Sequence, residues 1–245
     1  MLIAGLDLAA EPKGTALALI DWSEKIASVV HLEVGVTDEQ VVSHSRSAAK
    51  LGIDCALGWP LEFVEFVNKH SQGSAAVSGD IDWRRRMAYR ETDRVVREVT
   101  GRWPLSVSTD RLGLTAMRCA GLIAKLQADG ADVNRAGEGK IVEVYPAASL
   151  RLWGFDTTGY RTSKDLRANL LAQIEASAPW FEPSEFAELM IDSCDAFDSV
   201  IANFAARSSQ AGLYSRPSQE LREKALVEGW ISLPTGPLTS LVGER

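Results

Sequence analysis

GLDLA, residues 5–9, sets one carboxylate, Asp7, in an otherwise apolar run that follows the four residues MLIA. Residues 2–9 as a whole read as a buried strand. A buried acid without a partner is expensive, so Asp7 must be paired, hydrated or bound to a cation. LGIDCA, residues 51–56, repeats the pattern: Asp54 interrupts a short apolar strand that ends at the turn Gly58-Trp59-Pro60. If these two strands are neighbours, the two acids meet at one edge of a sheet. There they repel, and at least one pKa rises unless a cation neutralises them. The alternative is that each acid caps a helix or turn as the chain leaves the sheet.

The surrounding pattern supports the neighbourhood. Glu11-Pro12-Lys13-Gly14 reads as a turn, Thr15–Asp21 as a second strand and Ala27–Val36 as a third, rich in β-branched residues. Short connections make these three an antiparallel meander. A helix with Thr37 as its N-cap runs to about Lys50. A helix followed by an apolar strand predicts that the strand of Asp54 lies parallel to that of Asp7. Residues 61–135 read as mainly helical, with loops around 73–82 and 101–104. Ile141–Tyr145 is a fifth strand, Ser163–Ser177 and Ser184–Arg207 are helices, and Trp230–Leu233 is a last apolar run. The expected fold is α/β: one domain over residues 1–245, with a mixed five-stranded sheet flanked by helices and a locally basic helical insertion at about 61–135.

Within 184–207, Phe186, Met190, Phe197, Ile201 and Phe204 form the apolar stripe. Asp195 and Asp198, three residues apart, share a different face with Ala202 and Ala206. That face is either solvated or closely packed by something that needs small residues. Glu143 alternates with Ile141 and Tyr145, an acid where an apolar residue is expected; it is either a further ligand or the partner of an arginine. Arg90 and Arg94, one helical turn apart, either clamp a phosphate or join Glu91 and Asp93 in an ion-pair network.

Composition bounds the function. No apolar run approaches the ~20 residues that span a bilayer, and no basic leader precedes the first strand, so the expectation is a cytoplasmic protein without a membrane partner. Three dispersed cysteines and three histidines offer no zinc, disulfide or triad spacing. Any catalysis rests on carboxylates. The net charge of −7 argues against indiscriminate nucleic-acid binding. Residues 69–111 nevertheless carry nine Lys/Arg against six Asp/Glu, a local +3 that leaves −10 on the remainder. This is either a site for an anion or a solvated arginine-rich face. Trp59, Trp83, Trp103 and Tyr89 offer rings that either stack bases or anchor loops. The composition also leaves room for a homo-oligomer.

GLDLA (5–9), IDCALGWP (53–60), YRETDR (89–94), EVYPAA (143–148) and DAFDSVIANFAAR (195–207), in this order, resemble the domain-of-unknown-function 429 family, bacterial and archaeal proteins regarded as predicted nucleases of ribonuclease H fold. The order of acids is similar to that of Holliday-junction resolvases, which carry a glutamate where this chain has Asp54. The resemblance implies a ribonuclease H-like domain and a hydrolase that cuts phosphodiester bonds of nucleic acid with two Mg²⁺ or Mn²⁺ ions. Asp7 would bridge both ions, Asp54 would bind one, and Asp195 or Asp198 would complete the other, the four acids being catalytic. Two other functions fit the same strands. Sugar kinases and actin-like ATPases also open on a strand-borne aspartate, and DLAAEPKGT (7–15) would then cradle phosphates with Gly14 and Thr15. A non-catalytic binding protein would use its acids only to hydrogen-bond backbone.

Overall fold

The computed structural model describes residues 1–74 and 79–243; part of the loop predicted at 73–82 therefore lies outside the described residues. Strands β1 (Leu2–Asp7), β2 (Ala16–Trp22), β3 (Ala27–Val34), β4 (Lys50–Asp54), β5 (Ile141–Glu143) and β6 (Phe181–Glu182) form one sheet. The helices are α1 (Asp38–Ser45), α2 (Leu61–Ser71), α3 (Ile81–Ala88), α4 (Glu91–Thr100), α5 (Gly113–Ala128), α6 (Pro146–Leu152), α7 (Lys164–Ser177), α8 (Ala187–Asp192), α9 (Cys194–Gln210) and α10 (Arg222–Glu228). None is long and apolar enough to cross a membrane.

The sheet is ordered β5-β4-β1-β2-β3-β6. β1, β2 and β3 are the antiparallel meander, and β4 lies parallel to β1, with β5 parallel to β4. The sheet therefore has six strands rather than the expected five. The sixth, β6, is two residues long and runs parallel to the start of β3. A pair that short carries no alternation from which it could be read.

Side-chain parity assigns the two faces. Ala4, Leu6, Leu17, Leu19, Leu51 and Ile53 point to the face covered by α1 and α5. Ile3, Ala18, Ile20 and Val142 point to the other, covered by α6, α7 and α9. α9 is the central helix of that layer and is buried on nearly all sides, not only along its aromatic stripe. Its approach is close because the strands beneath it carry glycine. A Cβ on Gly5 would stand 2.2 Å from the Ser199 carbonyl oxygen, and one on Gly52 2.6 Å from that of Ala202. What packs against Ala202 and Ala206 is the sheet itself.

Two helices differ from the expected bounds. α1 ends at Ser45, because the chain must extend to pair Ala49 N–H with the Leu2 carbonyl and begin β4 at Lys50. The helix expected at 184–207 is broken at Ser193, which is extended (φ −114°, ψ 122°) and caps α9 by accepting from Ala196 N–H. The insertion between β4 and β5 is helical, as α2 to α5.

Candidate active site

Asp7 ends β1 and Asp54 ends β4, and the parallel register makes them direct partners. Each shares parity with the glycine two residues before it, so both acids lie on the α9 side of the sheet. α9 begins above this edge and runs back over Gly5 and Gly52, which brings Asp195 and Asp198 of its first two turns to the same place. All four acids line one cavity of about 450 Å³. Period two on the strands and period three on the helix are sufficient to bring them together.

The electrostatics are those of crowded acids. Burial, and then the charges of Asp54, Asp198 and Asp195, push the Asp7 carboxyl well above its ordinary pKa. Burial and Asp198 push Asp54 up to about 7. Asp198 is raised by burial, against the pull of Arg161 and Tyr160, and Asp195 is raised by burial as well. Arg161 supplies the countercharge. Its Nη2 lies 3.0 Å from Asp198 Oδ2 and 3.9 Å from Asp54 Oδ2, and its Nε donates to the Tyr160 hydroxyl at 3.2 Å. Tyr160 in turn donates to Asp198 Oδ1 at 2.8 Å. The buried Arg167 holds this loop to the end of α8, donating to the carbonyls of Tyr160, Ile191 and Asp192.

Arg161 and Tyr160 are the site residues that sequence reasoning missed. They lie in a loop outside the basic segment, and nothing in GYRTS marks a residue that reaches an acid 37 positions away.

Glu143 has the opposite parity to Val142 and Val144, whose side chains pack on the α9 side. It therefore points to the other face, where it is buried against Arg90. Arg90 Nη1 and Nη2 donate to its two oxygens at 2.8 and 2.7 Å, and Leu57 N–H adds a third bond at 3.0 Å. The remaining Arg90 donors go to Asp93 and to the Glu228 carbonyl, which accounts for all five N–H groups. Arg94 pairs with Glu91 at 3.7 Å and reaches the carbonyls of Arg85 and Tyr89. Both arginines are held in networks: that of Arg94 lies within the insertion, and that of Arg90 ties the insertion to β5 and α10.

The turn at 7–15 closes on itself. Thr15 Oγ1 accepts from Ala9 N–H and donates to the Glu11 carbonyl, and Arg118 clamps it by donating to Thr15 Oγ1 and the Ala9 carbonyl. Gly14 faces Asp195, whose Oδ2 stands 4.0 Å from where a Cβ would be.

As the side chains stand, no three His, Cys, Asp or Glu among the described residues form a ready coordination group. Arg161 holds the position between Asp198 and Asp54. By chemistry the donor set fits a hard divalent cation: every donor is a carboxylate oxygen, and four acids carry more charge than one arginine offsets.

Residues 5–222 match the family model described as protein of unknown function (DUF429), and the chain belongs to that family. No curated protein and no solved structure matches it.

Proposed function

We propose that this chain is a metal-dependent nuclease or phosphodiesterase on a ribonuclease H-like domain, with Mg²⁺ or Mn²⁺ held by Asp7, Asp54, Asp195 and Asp198. The observation that carries it is the convergence of four acids from β1, β4 and α9 on one cavity, with Arg161 as their ion-pair partner. The sheet supports the fold half of the proposal. Its first three strands are antiparallel and β4 and β5 parallel, which is what the resemblance implies.

A bound divalent cation supplies Lewis acidity and an acidified water for attack on phosphorus. The chain's own residues do the rest. Asp7 and Asp54 stand on rigid strand ends, so their oxygens are positioned without ordering a loop. Tyr160 fixes Asp198 through its hydroxyl. Arg161 is half exposed and faces the cavity with Nη1 unengaged among the described residues, so it meets a phosphate oxygen of the substrate.

Calorimetric titration with Mn²⁺ at pH 8, on wild type and Asp7→Asn, tests the metal. Cleavage of single-stranded, duplex and branched oligonucleotides tests the reaction. Mn²⁺ binding that Asp7→Asn abolishes, together with Mn²⁺-dependent cleavage, is the expected result. Wild-type protein that binds no metal and cuts none of the three overturns the proposal.

A further inference from the structure

The cavity that holds the four acids opens beside a surface with a different character. Pro104, Leu105 and Leu112 line it, and Trp103 and Arg111 adjoin them in the chain. Trp103 stacks on Tyr89 with ring centroids 4.1 Å apart and planes at 26°, yet remains 40% exposed. Leu105 is 54% exposed. Arg102 and Arg111 bracket this stretch; both are exposed, and neither makes an ion pair among the described residues. Arg102 acts on Asp156 only at long range. On a chain of net charge −7, two exposed arginines without a salt bridge among the described residues, beside an exposed stacked ring, suit a ligand that is both anionic and aromatic.

We propose that this rim, Tyr89, Trp103, Leu105, Arg102 and Arg111, binds single-stranded nucleic acid and feeds it to the carboxylate cavity, a substrate class that rests on the phosphodiesterase function proposed above. Trp103 continues its stack with Tyr89 through an unpaired base, which a duplex keeps inside its own stack. Arg102 and Arg111 meet the flanking phosphates. The acids select in the same direction. The side chains of Asp54 and Asp198 are only 19% and 3% exposed, so the phosphate to be cut must bend inward to reach them. A flexible single strand does so readily, whereas a duplex must first be distorted.

Fluorescence anisotropy of the full chain in EDTA, where no cleavage occurs, tests this with a labelled oligothymidylate of about 20 nucleotides and a duplex of the same length. The single strand is expected to bind at least about tenfold more tightly than the duplex. Trp103→Ala weakens that binding about tenfold, while Trp103→Phe keeps most of it because it retains a ring. Replacing Arg102 and Arg111 by Gln lowers the slope of log affinity against log salt by about 1.4, two phosphate contacts' worth. Thermal melts show that each variant is folded. Equal or tighter duplex binding, or unchanged affinity in folded Trp103→Ala, overturns the inference. Mn²⁺-dependent hydrolysis of bis(p-nitrophenyl) phosphate by wild type separates the two proposals, because this small diester has no strand to load. Hydrolysis without oligothymidylate binding removes the rim and keeps the metal site. Trp103-dependent binding without hydrolysis keeps the rim and removes the metal site.

Discussion

Asp7 and Asp54 are register partners on parallel β1 and β4, so two acids occupy adjacent strand ends on the same face of the sheet. Folding brings them together at a cost: burial, with Asp54 and the α9 acids, pushes Asp7 up, and burial, with Asp198 and Glu143, pushes Asp54 up. Asp7→Asn removes one charge and keeps the shape. In EDTA at pH 8 the variant should melt about 4 °C above wild type, the shift for about 1–2 kcal/mol in a chain of this size. It should also bind no Mn²⁺. A variant that melts below wild type would mean that Asp7 is a stabilising cap rather than a strained acid.

The same strain sets a pH dependence. Asp54 titrates near 7 in the folded chain and near 3.8 otherwise. Its folded pKa is raised, so the native state holds its proton more tightly than the unfolded chain. That contribution is fully present below pH 4 and lost as pH rises toward 7. Asp7 and Asp198 shift in the same direction. Without divalent ions, the melting temperature should fall between about pH 5.5 and pH 8 by an amount corresponding to about 2 kcal/mol. Millimolar Mg²⁺ should restore most of it at pH 8, because a cation neutralises the ionised acids. A flat profile in EDTA, measured by scanning calorimetry, would mean that the buried acids do not ionise in this range.

Arg161 stands where a cation is needed. Its bond to the buried Asp198 is 3.0 Å, but its own side chain is half exposed, which weakens the pair. Arg161→Gln should cost about 1 kcal/mol in EDTA at pH 8, because Asp198 and Asp54 lose their countercharge. The same change should tighten Mn²⁺ binding several-fold, since the metal no longer competes with a guanidinium. Weaker Mn²⁺ binding in folded Arg161→Gln would show that the arginine and the metal do not share the space.

The four acids were legible because each obeys a simple period: a position two residues after Gly5 or Gly52 on its strand, and a three-residue spacing on α9. The fold was legible for the same reason, in hydrophobic alternation and short connections. Tyr160 and Arg161 were not, because a loop residue 37 or 38 positions from its partner has no local pattern. The fate of Glu143 needed one further step. Its alternation with Ile141 was visible, but which face that parity meant followed only from seeing Val142 and Val144 against α9. The break at Ser193 was written in the chain as a capping serine, hidden inside an apolar stripe that runs through it.

Gly5 shows how little room the arrangement leaves. A methyl there would meet the Ser199 carbonyl at 2.2 Å and Asn203 N at 2.3 Å, both backbone atoms that cannot rotate away. Gly5→Ala must lift α9 off β1 and with it Asp195 and Asp198. It should cost at least about 4 kcal/mol, or prevent soluble expression. Gly121→Ala on α5 is the contrasting case. Among the described residues no neighbour outside its own helix lies within 4 Å of its Cβ position, and alanine favours the helix, so the melting temperature should rise by about 2 °C. Equal effects at the two glycines, measured by circular dichroism, would remove the close helix–sheet contact as the reason for Gly5.

Glu143 separates fold from chemistry. It is an acid that lines the same cavity, yet its oxygens are taken by Arg90 and by Leu57 N–H on the face away from α9. Glu143→Gln keeps the shape but leaves the guanidinium of Arg90, 3% exposed, with Asp93 as its only charged partner among the described residues. Breaking a buried pair in this way costs about 3–5 kcal/mol, so the melting temperature should fall by about 8 °C or more. Mn²⁺ affinity below the lowered melting temperature should match that of wild type within about twofold, because Asp7, Asp54, Asp195 and Asp198 are untouched. Loss of Mn²⁺ binding in a folded Glu143→Gln would make Glu143 a fifth acid of the metal site and move that site's centre across the sheet edge.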